Sequence, residues 1–344
     1  MGERRFERAT LILSRHWRSP DSELSFVARS VAGAASRTSE VCVVVPGPAG
    51  GPEPDGAFDL LGLGDGEDGS WPDPARATWP DSLPPGTTIV VDEPDAAARS
   101  LLAHFAPEHR VHAIAPAGTA GDRHAIPPLR FTAPPEGGTS ELIRLHVPIN
   151  PLAATHRHNG LGFTGYLLVL SDRTGAAGVS PPTPMVAWLT ARFPGVHVVV
   201  VEDAVAAVWR GRALRGVVSV YTRTDLWRLV AHALVTIDLA PGPIVARECV
   251  ESLRFGTPIV VPVGSAAQPH ADAGAGLSFT GYAELLACVA RLSDAGVRDR
   301  LSQRGRLYAD ARYGNPDAFV DSVARVLGFP AVSSPADGRA DDSP

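Results

Sequence analysis

Short apolar runs alternate with longer amphipathic segments in the first part of the chain. Strand-like runs occupy residues 8–14, 40–46, 87–92 and 110–115, and helical patterns cover 20–36 and 95–105. Apolar runs of this length, bounded by turn residues, are typical of buried strands. Their alternation with helices predicts a parallel sheet with crossover connections, and therefore a Rossmann-like lobe.

The same alternation is sharper in the second part of the chain. Strands are predicted at 166–171, 196–201, 217–221, 234–238 and 258–263, with helices at 183–193, 224–233, 244–255, 282–292 and from 315 onward. Residues 146–165 have neither period and are placed like a hinge. We therefore predict an N-terminal lobe at 1–150, a second Rossmann-like lobe at 151–330, and a disordered tail at 331–344.

Composition narrows the classes of function. The chain has 344 residues, 44% of them hydrophobic, a net charge of −6 and three widely separated cysteines. No apolar run is long enough to span a membrane, no signal-peptide cleavage site follows the N-terminus, and no basic footprint indicates nucleic acid. A cytoplasmic protein is expected, without disulfides or a zinc site. Because the chain has no lysine, a permanently charged contact to phosphate must come from arginine.

The segment DLAPGPIVARECVESLRFGTPIVVP (238–262) carries the strongest chemical pattern. A strand ends at Asp238, a turn containing Gly242 follows, and a helix then begins. A helix N-terminus at the carboxyl edge of a parallel sheet favours a diphosphate, which Arg247 could also contact. Glu248 and Glu251 share a helix face and could accept hydrogen bonds from sugar hydroxyls. The alternative is an amphipathic crossover helix with solvated charges.

ECVESLRFGTPIVVP resembles the C-terminal signature of glycosyltransferase family 4, whose members have the two-lobed GT-B fold. The resemblance covers most of 166–328 and implies a Glu-x7-Glu motif. Its second glutamate, which contacts the ribose, matches Glu251. Its first, which contacts the donor sugar, falls at Pro243, and proline offers no hydrogen-bonding side chain.

The family also holds the donor phosphates with an arginine and a lysine that follow the first strand of this lobe. Arg173 in YLLVLSDR matches the arginine, and the lysine position, near Gly178, is empty. Arg223 and Arg247 are the candidates to replace the lysine. For Arg173, the alternative is a cation on a surface loop.

The first lobe departs further from the family. SRHWRSPDSE (14–23) stands where relatives have a glycine-rich turn, and it offers Arg15, His16 and Arg18 to an acceptor. VVDEPD offers Asp92 and Glu93. Packing at the lobe interface is the alternative for His16, and a capping or turn role is the alternative for the two acids. Neighbouring side chains of the HRH run at 156–158 point apart, so we expect no metal site.

The resemblance implies a retaining, metal-independent glycosyltransferase with no cofactor. A nucleotide sugar would bind the C-terminal lobe, and transfer would occur in the interlobe cleft. The acceptor would be anionic or lipid-linked, which would place the protein at a membrane periphery. No catalytic residue can be assigned. The alternatives are a catalytically inactive GT-B scaffold that binds a nucleotide or a partner and, with less support, a sugar-nucleotide epimerase.

Overall fold

The computed structural model describes residues 9–15, 17–18, 23–46, 58–63, 71–73, 87–92, 96–105, 110–114, 149, 161–170, 183–202, 205–220, 222–239, 247–265 and 267–329. These residues belong to two compact units. The first comprises the described residues up to Ile114 together with those from Pro316 onward, and the second comprises those from Ile149 to Asn315. The lobe boundaries of the sequence analysis stay a prediction.

Strands and helices are numbered along the chain. They are β1 (Ala9–Leu13), α1 (Glu23–Ala35), β2 (Glu40–Pro46), β3 (Asp59–Leu63), β4 (Thr88–Asp92), α2 (Ala96–Phe105), β5 (Arg110–Ile114), β6 (Tyr166–Leu170), α3 (Thr183–Arg192), β7 (Val198–Glu202), β8 (Val205–Arg210), β9 (Ala213–Ser219), α4 (Arg223–His232), β10 (Ala233–Asp238), α5 (Arg247–Phe255), β11 (Ile259–Pro262), α6 (Gln268–His270), β12 (Gly276–Phe279), α7 (Tyr282–Ser293), α8 (Ala295–Tyr313) and α9 (Pro316–Leu327).

The first unit is built on a five-stranded sheet in the order β3-β2-β1-β4-β5, and every pairing in it is parallel. Leu11 and Leu13 of β1 pack with Ile89 and Val91 of β4 in one core cluster, which also includes residues of α2. The last helix, α9, packs on α1 and belongs to this unit. The sequence analysis had placed the residues of α9 at the end of the second lobe.

The second unit is built on a seven-stranded sheet in the order β12-β11-β10-β6-β7-β8-β9. The strands from β12 to β7 are parallel, whereas β8 and β9 are antiparallel. Alternate residues of β6 enter separate cores: Leu167 and Val169 pack with α3 and α7, and Leu168 and Leu170 pack with α4. Both faces of the central strands are therefore covered, as the apolar runs predicted.

The predicted parallel sheets are confirmed, and the second sheet adds two antiparallel strands, β8 and β9, at one edge. Of the run predicted as a strand at 217–221, residues 217–219 belong to β9, the outer strand of an antiparallel hairpin. Strands β3 and β12 were not predicted from the sequence pattern either. Within the part of the chain that the structure describes, no helix is both long and apolar enough to cross a lipid bilayer.

Candidate functional site

The second sheet has one topological switch point, between β6 and β10. From β6 the chain passes to β7 on one side, whereas β10 lies on the other side and leads on to β11 and β12. The carboxyl ends of the two strands meet there, because Leu170 is paired with Asp238. In open α/β sheets, ligands bind in the crevice outside the strand ends at such a point. The candidate donor site is therefore at this edge.

Two side-chain hydrogen bonds join helix α5 to β10 beside this edge. The Cys249 thiol donates to the buried Asp238 carboxylate, with Sγ 3.1 Å from Oδ2, and the Ser252 hydroxyl donates to Thr236 Oγ1 at 3.1 Å. These contacts fix the first turns of the helix against the strand end. The described part of helix α5 begins at Arg247. The first backbone N–H groups of a helix have no acceptor within the helix.

Helix α4 contributes Arg223 to the candidate site, beside the residues of α5. Thr222 and Asp225 form a reciprocal capping box, which starts the helix at Arg223. Leu226 and Val230, both buried, pack with β6 in the same core cluster. The cap and this apolar face hold Arg223 beside α5, and α4 and α5 are in direct contact.

Four side chains from these two helices form one arginine–glutamate cluster: Arg223, Arg247, Glu248 and Glu251. Arg223 donates through Nε to Glu251 Oε1 at 2.9 Å, and its Nη2 lies 2.8 Å from Glu251 Oε2. The same guanidinium donates through Nη1 to Glu248 Oε1 at 2.6 Å. Arg247 donates through Nε to Glu251 Oε1 at 3.0 Å, one helical turn away. Glu251 is thus held by two arginines.

Glu248 and Glu251 differ in the exposed fraction of their side chains. The Glu251 side chain is 1% exposed, whereas that of Glu248 is 16% exposed and those of the two arginines are about one-fifth exposed. Burial raises the pKa of the Glu251 carboxyl, and the two guanidiniums oppose this shift. Burial lowers the pKa of Arg223, but Glu251 and Glu248 outweigh it and leave this pKa raised. Burial and the neighbouring Arg223 lower the pKa of Arg247.

The structure thus brings together four of the donor-side residues predicted from the sequence. Arg173 and Gly242 lie outside the described residues, as does Pro243, so the predictions for them stay predictions. Glu251 faces arginines and not open space, which the sequence analysis did not anticipate. In this arrangement Glu248 is the carboxylate that retains exposed surface, and the cluster as a whole carries no net charge.

A second switch point lies in the first unit, between β1 and β4. The Ser14 hydroxyl, just beyond β1, donates to Asp92 Oδ2 at the end of β4, and the Arg15 N–H donates to Asp92 Oδ1 at 3.1 Å. Ser14 and Asp92 are fully buried. Asp92 thus joins two strand ends. Its role toward an acceptor stays a prediction, as do those of Arg15 and Arg18, whose side chains are exposed; His16 and Glu93 lie outside the described residues.

Replacement of Asp92 by alanine is expected to destabilise the first unit by about 2 kcal/mol, because it leaves a buried hydroxyl and a backbone N–H without their acceptor. Urea denaturation measures this change. Asp317→Ala is the matched control in the same unit, since it removes an exposed carboxylate that pairs with Arg37 at 3.0 Å, and it should cost less than about 1 kcal/mol. Equal effects of the two substitutions would contradict a structural role for Asp92.

No protein-family model and no curated protein matches this chain. Solved structures do. The glycosyltransferase WaaG, involved in lipopolysaccharide biosynthesis, is 16% identical with a TM-score of 0.54, covering 92% of this chain and 99% of WaaG. Sucrose-phosphate synthase from Thermosynechococcus elongatus is 11% identical with a TM-score of 0.59, covering 93% and 98%.

Spinosyn rhamnosyltransferase SpnG in complex with thymidine diphosphate is 14% identical with a TM-score of 0.52, covering 91% of this chain and 98% of SpnG. These similarities extend over nearly the whole of each chain and agree with one parallel sheet and one largely parallel sheet. The chain has the GT-B fold. At this level of identity the similarity establishes the GT-B architecture, and the function has to be argued from the site.

Proposed function

We propose that this protein is a glycosyltransferase that binds a nucleotide sugar at the carboxyl edge of its second sheet. The observation that carries the proposal is the arginine–glutamate cluster, which two helices place beside the switch point of β6 and β10. The fold supports it, because the similar structures named above include glycosyltransferases, one of them with a bound nucleoside diphosphate.

In the proposed site, the diphosphate binds at the start of α5, where backbone N–H groups and the helix dipole favour an anion. Arg247, in the first turn, adds a guanidinium that can bind phosphate bidentately. Developing negative charge on the leaving diphosphate would be stabilised by the same groups. Arginine thereby takes the place of the lysine that this chain lacks, and we propose a reaction without a metal ion and with retention.

The two glutamates have separate roles in this proposal. Glu248 keeps exposed surface and accepts hydrogen bonds from ribose or hexose hydroxyls. Glu251 is a positioning residue, since both of its oxygens are engaged by the arginines it orients. We further propose that Arg173 and the turn at Gly242 complete the donor site, and that the acceptor, anionic or lipid-linked, is bound by Arg15, His16, Arg18 and Glu93.

A second candidate is a GT-B scaffold that binds a nucleotide without transferring a sugar. Pro243 favours this candidate, since it occupies the position where family 4 has its donor-sugar glutamate. Both candidates include nucleotide binding, and they differ in turnover. Release of nucleoside diphosphate from UDP-, GDP- or TDP-sugars in the presence of lipid-linked or phosphorylated acceptors supports transfer. Binding without release under all these conditions supports the scaffold.

The substitution Arg247→Gln tests the donor site. We expect about a tenfold loss of affinity for the preferred nucleoside diphosphate, the usual size for one charged hydrogen bond, and little change for the nucleoside alone. Titration calorimetry with UDP, GDP and TDP, and with the corresponding nucleosides, measures both affinities.

Arg254→Gln is the matched control for this test. Arg254 lies in the last turn of the same helix, its side chain is also 20% exposed, and it pairs with Asp310 at 2.9 Å instead of facing the switch point. It should bind nucleotides as the wild type does. Equal losses for the two variants, or no binding of any nucleotide by the wild type, would defeat the donor-site proposal.

A further inference from the structure

One face of the β8–β9 hairpin places an arginine beside a histidine. Val198 of β7 is paired with Trp209 of β8, so the next residues opposite each other along this antiparallel pair are His197 and Arg210. Residues directly opposite in an antiparallel pair share one face of the sheet. His197 and Arg210 are therefore neighbours, on the same side of the sheet as α4.

A β-bulge brings a second arginine to this face. The register shifts along β8 and leaves Arg215 as an extra residue between Leu214 and Gly216. Such bulges re-aim a side chain. Burial lowers the pKa of His197, and the positive charges of Arg210 and Arg215 lower it further, so both guanidiniums act on the same imidazole. We call His197, Arg210 and Arg215 the hairpin cluster.

The imidazole of the hairpin cluster is held from the side of β6. It stacks on the Phe163 ring, with the ring centroids 4.0 Å apart and the planes 21° from parallel. The Leu167 N–H donates to the His197 carbonyl oxygen at 3.0 Å. Among the described residues, neither ring nitrogen of His197 has a hydrogen-bond partner. The ring is thus oriented by an aromatic neighbour, and its nitrogens can contact a ligand.

No carboxylate balances the two arginines of the cluster. The sequence has no acidic residue between Asp203 and Asp225. Both arginine side chains are exposed, and within the part of the chain that the structure describes neither of them forms an ion pair. The net charge of the whole chain is −6. Two unbalanced cations on one face of an acidic protein indicate a site for an anion.

The hairpin cluster and the candidate donor site are at opposite edges of the sheet. His197 precedes β7 and Arg210 ends the antiparallel β8, so both lie at the amino ends of the parallel strands. The donor site is at the carboxyl ends. Strand β7 has five residues, which separate the two edges by about 16 Å. A ligand of the hairpin cluster would therefore be distinct from the sugar donor.

We propose that the hairpin cluster binds a phosphate group of a phosphorylated small molecule. Two guanidiniums and an imidazole match the three oxygens of a phosphate group and its charge of about −2. A carboxylate has two oxygens and one charge, and would leave one arginine unbalanced. An extended peptide would need an uninterrupted edge strand, and the bulge in β9 interrupts it. The proposal does not depend on the proposed function.

Titration of the full-length protein with inorganic phosphate, followed by the imidazole signals of His197 in two-dimensional NMR, tests the proposal. H197Q assigns these signals by their absence. They should shift to saturation in the wild type. The pKa of His197 should rise on binding, because phosphate offsets the two positive charges that lower it. R210Q and R215Q should each weaken binding about tenfold, the usual effect of one charged hydrogen bond.

R212Q is the matched control, because it removes one exposed arginine from the turn of the same hairpin but outside the cluster. It should bind phosphate within about threefold of the wild type. R247Q, in the donor site, should leave the His197 titration unchanged, so the two sites are tested separately. Succinate at equal ionic strength should bind about tenfold more weakly than phosphate.

Four outcomes would overturn the proposal: no shift of the His197 signals with phosphate, an unchanged pKa of His197 at saturation, equal affinity for succinate, or equal losses in R210Q and R212Q. Circular dichroism establishes that each variant is folded.

Discussion

Replacement of Glu251 by alanine is expected to lower the free energy of unfolding of the second unit by about 3–5 kcal/mol, the usual cost of breaking a buried ion pair by removing one partner. Glu251 is fully buried, and its two oxygens are engaged by Arg223 and Arg247. The alanine variant leaves both guanidiniums partly buried without their main counter-charge. Chemical denaturation, followed by circular dichroism, measures the change.

Two further variants separate the unpaired charges from lost packing. E251M/R223M/R247M replaces Glu251 and both of its arginine partners with uncharged side chains, and leaves Glu248, which is partly exposed, as the charged member of the cluster. This variant should recover most of the lost stability. Asp299→Ala, which removes an exposed carboxylate in the same unit, should leave the transition unchanged. An unaltered transition in Glu251→Ala would mean that Glu251 is solvated and free to contact a ligand, as the sequence resemblance implied.

The regular helices could be predicted because their apolar residues repeat at helical spacing. Helix α7 was predicted at 282–292 and observed at Tyr282–Ser293, with Leu285, Val289 and Leu292 buried. Helix α5 was predicted at 244–255 and observed at Arg247–Phe255. In both cases local periodicity and burial agree, because each helix covers one face of the same sheet.

The β8–β9 hairpin could not be predicted from alternation alone. Strand β9 is largely exposed on both faces, so it lacks the continuous apolar run of a parallel strand. The two-residue connection at Gly211 and Arg212 was the available signal, since short turns with glycine join antiparallel strands. That signal was missed because the surrounding strands and helices favoured crossover connections throughout.

The four residues of the arginine–glutamate cluster were each named from the sequence, but the contacts among them were not. Arg247 and Glu251 are one helical turn apart and form an ion pair in the structure, whereas the sequence analysis assigned each of them to a ligand. The pairing with Arg223, which is 28 residues away from Glu251, depends on α4 and α5 lying side by side. Likewise, the hydrogen bond from Ser14 to Asp92 requires β1 and β4 to be neighbours. Strand order is a tertiary property that one sequence does not state.

The pairing of β11 with β12, at one edge of the second sheet, leads to the second prediction of a large loss of stability. Gly276 of β12 is buried and paired with Ile259 of β11. A Cβ atom added at Gly276 would overlap the backbone oxygen of Ile259 and its Cγ1 atom. A backbone oxygen cannot move away as a flexible side chain can, so β12 would have to separate from β11.

Gly276→Ala is therefore expected to destabilise the second unit by about 3 kcal/mol, at the upper end of the usual cost of overpacking. Gly216→Ala is the matched control, because Gly216 also lies in a strand and an added Cβ would have nothing within 4 Å. It should be neutral or stabilising by about 0.5 kcal/mol, since alanine loses less backbone entropy than glycine on folding. Urea denaturation of both variants measures the difference. Equal midpoints would mean that β12 can shift without loss, and that the close pairing at Ile259 does not stabilise this edge of the sheet.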